Sequence, residues 1–490
     1  MIVLSHRFTS DNGLDTTSSH PQNYWLQFLK MGNPANKNTS LINNYAHQLR
    51  TAVSELGCSA PENEIESISI FLLRIMGSEL RDYHKPEHSI DVSLGQPPVA
   101  RIASLFHDCV YVQVDPGWRN SFSELFQTLM APEAVLLNVK EALARSEIFP
   151  WFKTITLLFG LENETALRPV NGLNEFLSAL VMVKKMEGIL KPIDLLKAAA
   201  CIEATIPFRK LDANGNSASQ GMRLRLPIAA KQIAVIIAES DIIQTTLECR
   251  GIVESDLGGF GSERLSYFIS NTWNVMNENN PSLRNSFFLV SDYRKAVYGI
   301  IGFLQSLNPD HMFWSDVQVQ SVKNARLVER ARYNLKNGVE YLKALGLSLS
   351  IVEAIALETG GDAPFEFFFG SLKKSREHTP LELEELLAVD PHPSLESDDQ
   401  RDVYRILKDG REMRAKFDRK KFPLGAFLYT PLQRLGQFEL FFQAAAAFHK
   451  GQGSAKELLQ RLPKELRAQV LSSIAQLATT RGDKISALNV

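Results

Sequence analysis

The segment Tyr83-His84-Lys85-Pro86-Glu87-His88-Ser89-Ile90-Asp91-Val92, followed 15 positions after Val92 by His107-Asp108, gathers three of the ten histidines and a carboxylate within 25 residues. Imidazole nitrogens and carboxylate oxygens are ligands for divalent ions, and a site that keeps water in an open coordination position can activate it. Asp108 closes the apolar run Val99-Ala100-Arg101-Ile102-Ala103-Ser104-Leu105-Phe106. A carboxylate buried there costs several kcal/mol unless a cation or a hydrogen-bond network meets it. A further ligand is expected from a distant helix. Asp241, embedded in Ile236-Ile237-Ala238-Glu239-Ser240-Asp241-Ile242-Ile243, is the best candidate and Glu239 its competitor. Being two apart on a helix, they face different directions, so only one can join the cluster.

These residues need rigid elements to hold them. His84 and His88 are four apart, which on one helix stacks them on one face. Pro86 is comfortable only in a first turn, so a helix is expected to begin near Lys85 or Pro86, with His84 just before it and His88 inside it. Apolar residues recur at helical spacing from Ile65 to Leu80, leading into this motif. Further helical stretches are read at Val99–Val112, Phe122–Met130, Leu173–Met186, Pro192–Ala204, Ile228–Leu247, Glu263–Met276, Tyr293–Leu307 and Val317–Leu347. Thr359-Gly360-Gly361-Asp362-Ala363-Pro364 then breaks the pattern. Leu435–Phe448 and Ala455–Ala478 resume it, and strand-like alternation is short and rare. The expected fold class is all-α. The expected organisation is a flexible tail over 1–40, a metal-dependent domain over 41–350, a connecting segment over 351–402 that includes an acidic, proline-containing stretch, and an accessory C-terminal helical region over 403–490.

Tyr-His-x-x-x-His-x-x-Asp-Val, then Leu-Phe-His-Asp, then a late Asp resembles the HD-domain metal-dependent phosphohydrolase superfamily. The first motif looks particularly like that of the class I cyclic-nucleotide phosphodiesterases. The resemblance covers about residues 60–250, with helices to about 345 completing an HD-like helical core. It implies His88, His107, Asp108 and Asp241 as ligands of a divalent metal (Mn, Mg, Zn, Fe or Ni), with His84 as the general acid. Ala204-Thr205 resembles an Ala-Thr pair on an active-site helix. Lys85 stands where the phosphodiesterases have Asn, and Ser89 where they have Ala. Asp115, in Asp115-Pro116-Gly117-Trp118-Arg119-Asn120-Ser121-Phe122, stands where a histidine near the second metal is found, after a different spacer. Asp115, Asn120 and Thr205 are therefore candidates for second-metal or supporting roles, and the first metal site is the better matched. The implied activity is hydrolysis of a small phosphorylated substrate such as a nucleotide, as a phosphodiesterase or nucleotide phosphatase. The alternative is a non-catalytic HD-like module that binds a nucleotide or a protein.

The remaining composition narrows the classes. With 53 basic and 55 acidic residues among 490, the chain has no global charge that would draw it to DNA, RNA or an anionic membrane. Cys58, Cys109, Cys201 and Cys249 are scattered without a CxxC pair, which suits a reducing compartment. No signal peptide and no run of about 20 apolar residues is read, so a cytoplasmic, membrane-free protein is expected. Asp212-Ala213-Asn214-Gly215 imitates the opening of an EF-hand, but the loop lacks the Gly and Glu that calcium needs and reads as a turn.

Overall fold

The computed structural model describes residues 40–115, 136–145, 149–162, 165–285, 287–314, 322–371, 381–412 and 421–489. The expected tail, the Phe122–Met130 helix and Asn120 lie outside them, Ser40 excepted. The chain is all-α: the one sheet among the described residues pairs Leu137–Asn138 with Ala166–Leu167 antiparallel.

Four helices frame the histidine motif: Leu41–Glu55, Glu62–Met76, Pro86–Ser93 and Pro98–Phe106. Pro86 occupies the first turn of the third helix with Lys85 as its N-cap, as the proline rule requires. Tyr45, fully buried on the first helix, donates its hydroxyl to the Pro86 carbonyl at 3.1 Å and so fixes where the third helix begins. The Pro98–Phe106 helix packs on the Leu41–Glu55, Pro86–Ser93 and Pro192–Ala204 helices, and the Glu239–Asp256 helix crosses the last two of these. Helices Leu173–Met186 and Pro192–Ala204 begin and end where periodicity places them, each with most of its face buried.

The Ile228–Leu247 helix of the sequence reading is two helices, Ala218–Gln232 and Glu239–Asp256. Between them the β-branched run Ile233, Val235, Ile236, Ile237 is stiff against helical rotamers, and Ala234 turns left-handed at φ 56°. The new helix opens with Glu239 and Asp241 in its first turn, where the helix dipole favours anions. Likewise the Ala455–Ala478 stretch is broken by Pro463 into Ala455–Arg461 and Lys464–Leu477.

A 38-residue helix, Val322–Thr359, is the spine of the second half, about 57 Å long. It crosses position 350, and the Leu265–Glu278, Val290–Ser306, Asp398–Asp409, Pro423–Arg434 and Phe438–His449 helices pack along it. Buried residues from Tyr45 to Ile485 form one continuous apolar cluster. A polar tie supports the C-terminal end: Arg294 donates to Glu353 at 3.0 Å, its guanidinium also meets the His449 ring, and Tyr298 stacks on that ring at 4.2 Å.

Gly338 on the spine lets the Leu265–Glu278 helix approach, since a Cβ there would lie 2.5 Å from Phe268 Cε1. Gly338→Ala should lower stability in urea unfolding. Overpacking costs about 1–3 kcal/mol, against about 1 kcal/mol gained from helix propensity. No described helix is long and apolar enough to cross a membrane.

Candidate metal centre

Three separate segments bring four donors together. His88 enters from the third position of the Pro86–Ser93 helix, His107 and Asp108 from the end of the Pro98–Phe106 helix, and Asp256 from the last position of the Glu239–Asp256 helix. One ligand atom from each lies within 4.8 Å of every other. His88 Nε2 is 3.0 Å from Asp256 Oδ1 and 3.6 Å from Asp108 Oδ2, while His107 Nε2 is 2.8 Å from Asp108 Oδ2 and 3.5 Å from Asp256 Oδ1.

Two observations fit a cation at their centre. First, His107 Nε2 and Asp108 Oδ2 are buried without a hydrogen-bond partner despite their 2.8 Å separation, so they converge on a common point without bonding each other. Second, Asp108 follows one helix C-terminus and Asp256 ends another, positions where the helix dipole repels an anion. A cation answers both. His107 Nδ1 donates to the Ser104 carbonyl at 2.8 Å, which leaves Nε2 as the lone-pair nitrogen facing the cluster. Burial alone would raise the Asp108 and Asp256 carboxyls, but the His107, His84 and His88 imidazoles outweigh it at Asp108, and those of His107 and His88 at Asp256, holding both below the usual carboxylate range. Burial would lower His107, yet Asp108 and Asp256 push it well up.

His84 lies beside this cluster, its ring 6.0 Å from that of His88 and 4.5 Å from that of Tyr111. Its Nδ1 meets the fully buried carboxylate of Glu278, the last residue of the Leu265–Glu278 helix. The other Glu278 oxygen accepts the backbone N–H groups of Asp82, Tyr83 and His84 at 2.8, 2.8 and 3.1 Å. Burial would lower the His84 pKa, but Glu278 and Asp108 raise it to about 9. Glu278 itself is lowered, because His84 and these amides overcome its burial. Glu175, from the Leu173–Met186 helix, has a buried Oε2 without a hydrogen-bond partner, and burial with the Asp108 and Asp256 charges pushes its carboxyl up to about 7.

The expected fourth ligand, Asp241, is placed elsewhere. It sits in the first turn of the helix whose far end carries Asp256, nearly half exposed, with Oδ1 2.7 Å from Lys197 Nζ. Glu239 pairs at the surface with Arg223 at 3.1 Å. Asp256 was concealed by the misplaced helix boundary. The signal for it was an acidic residue in Glu254-Ser255-Asp256-Leu257-Gly258-Gly259, at a glycine-marked helix end where an anion is unfavourable.

Asp115 is not brought to the cluster. Arg81 Nε donates to both its oxygens at 3.0 and 3.2 Å, and Arg81 Nη1 donates to the carbonyls of His84 and Asp108 at 2.9 and 2.8 Å. Asp115 thus neutralises a fully buried arginine that clasps the two motif segments together. Arg81→Met should destabilise the fold by about 3–5 kcal/mol in denaturant unfolding, because Asp115 is left buried and unpaired. Thr205 caps the Pro192–Ala204 helix and spends its hydroxyl proton on the Ile202 carbonyl at 2.7 Å. Ser89 lies against Tyr45 and the Pro86 carbonyl, and Lys85 Nζ is 3.9 Å from Asp82. Asp212 accepts from the amides of Asn214 and Asn216 at 2.8 Å each, closing a turn.

Comparison of the chain with protein-family models, with curated proteins and with solved structures returned no match.

Proposed function

We propose that the chain is a metal-dependent phosphohydrolase of HD type, acting on a small phosphorylated compound such as a nucleotide or phosphodiester. The supporting observation is the convergence of His88, His107, Asp108 and Asp256, with two of their donor atoms buried and unbonded, beside a histidine held in its protonated state. A divalent ion held by these four residues supplies Lewis acidity toward a phosphoryl oxygen and toward water. His107 presents Nε2 because Nδ1 is committed to Ser104. Asp108 and Asp256 bring two negative charges that match the ion, and their low pKa keeps them ionised at neutral pH. His84, whose proton Glu278 stabilises, donates it from Nε2 to the leaving oxygen, and the Glu278 carboxylate holds the ring in place through Nδ1.

A screen of phosphomonoesters, cyclic nucleotides and nucleoside triphosphates with Mn, Mg, Ni and Zn tests the reading. We expect turnover of at least one class that His84→Ala depresses about 10²–10⁴-fold with metal content retained. Asp108→Ala should lose metal and turnover together. Full activity in both variants would contradict the assignment.

A further inference from the structure

A cavity of about 370 Å³ lies beside the end of the Glu239–Asp256 helix, which lines it through Val253, and between the start of the Ala218–Gln232 helix and the short Pro309–Met312 helix. None of His84, His88, His107, Asp108 or Asp256 lines it. Its volume falls in the range of small-molecule sites, and its walls are built from Ile206, Phe208, Leu257, Met312 and Trp314.

Three observations mark it as a built site. Phe208 and Trp314 hold left-handed backbone at φ 57° and 50°, and among the described residues only Ala234 joins them as a non-glycine with positive φ. Such conformations are strained for residues that carry a Cβ, and here two of them bring large aromatic residues to one cavity. The Phe208 ring is then held edge-on by Phe260 at 5.5 Å and Phe303 at 5.4 Å. Finally, the lining carries an open donor: Arg209 Nη2 donates to Glu203 Oε2 at 3.2 Å, but Glu203 also accepts from Arg225 at 2.6 Å, and Arg209 Nε is buried without a hydrogen-bond partner.

Gln220, at one end, gives its side-chain carbonyl oxygen to the Ser217 amide at 2.9 Å in a capping box. Its NH₂ group is what it can offer a ligand, and that group bonds a ring nitrogen or a carbonyl oxygen.

We propose that this cavity binds a flat heteroaromatic molecule carrying a hydrogen-bond acceptor, whether or not the metal cluster is filled. The test uses the full chain in EDTA at pH 8. Benzimidazole and indole are titrated by calorimetry and ligand-observed NMR. They match in size and planarity, but only benzimidazole has a ring-nitrogen acceptor.

Saturable one-to-one binding of benzimidazole, tighter than that of indole, is expected. Ala218→Phe, which fills the cavity, should weaken it about tenfold or more. Gln220→Glu keeps an acceptor for the Ser217 cap but removes the amide donor, so it should erase the preference over indole. The second variant is decisive should the first fail to fold. Binding of neither probe, or binding of both that Gln220→Glu leaves unchanged, overturns the proposal.

Discussion

Asp256→Ala should weaken binding of a divalent ion at least about 100-fold and abolish metal-dependent turnover, while Asp241→Ala leaves both unchanged. The contrast is sharp because the two aspartates sit at opposite ends of one helix. Asp256 is 13 % exposed and lies 3.0 Å and 3.5 Å from the Nε2 atoms of His88 and His107. Removing it takes one of two carboxylates from a cluster of four donors and leaves the imidazoles facing a single anion. Asp241 is 46 % exposed and, among the described residues, pairs with Lys197, an interaction worth about 0–1 kcal/mol. Equilibrium dialysis followed by elemental analysis of both variants reads the difference. Equal metal content would place the cation elsewhere.

Glu278→Gln should lower turnover about 10²–10⁴-fold at neutral pH with metal content intact, because it unhooks the proton donor and spares the ligands. The variant retains an oxygen for the amides of residues 82–84 but loses the charge that raises His84. NMR titration of His84 in metal-free protein checks the cause directly. In the parent, the imidazole should titrate near pH 9; in Glu278→Gln it should move toward the ordinary value of about 6.5. The linkage has a definite sign. With the folded pKa raised, the stabilisation from this pair is fully present below about pH 6.5 and is lost as pH rises through about 9. Glu278→Gln should therefore flatten the stability profile between those limits. An unchanged His84 titration would remove Glu278 from the account.

The histidine half of the site was legible because chemistry and local structure coincide there. Pro86 fixes a helix start, and His107-Asp108 ends an apolar helix, so their placement follows from short-range rules. Asp256 and Glu278 were not legible in the same way. Each is the final residue of a helix, and helix ends are what periodicity locates least well. Asp241 looked embedded in apolar sequence only because Ile233–Ile237 was read as helical; once that run is a connector, Asp241 becomes an ordinary first-turn acid. Arg81 carried no signal of its own, since its partners, Asp115 and the carbonyls of His84 and Asp108, meet it only through the tertiary fold. The all-α class and the limits of the Leu173–Met186 and Pro192–Ala204 helices were readable from periodicity. The division near position 350 is crossed by the 38-residue spine, whose apolar face continues without a breaking residue until Gly360.

The central claim is that four side chains share one cation, and anomalous scattering from crystals grown with Mn²⁺ tests it most directly. A single strong peak within about 2.5 Å of His88 Nε2, His107 Nε2, Asp108 Oδ2 and Asp256 Oδ1 is the expected result. A cluster without a peak, or a peak beside Asp241 instead, would contradict it.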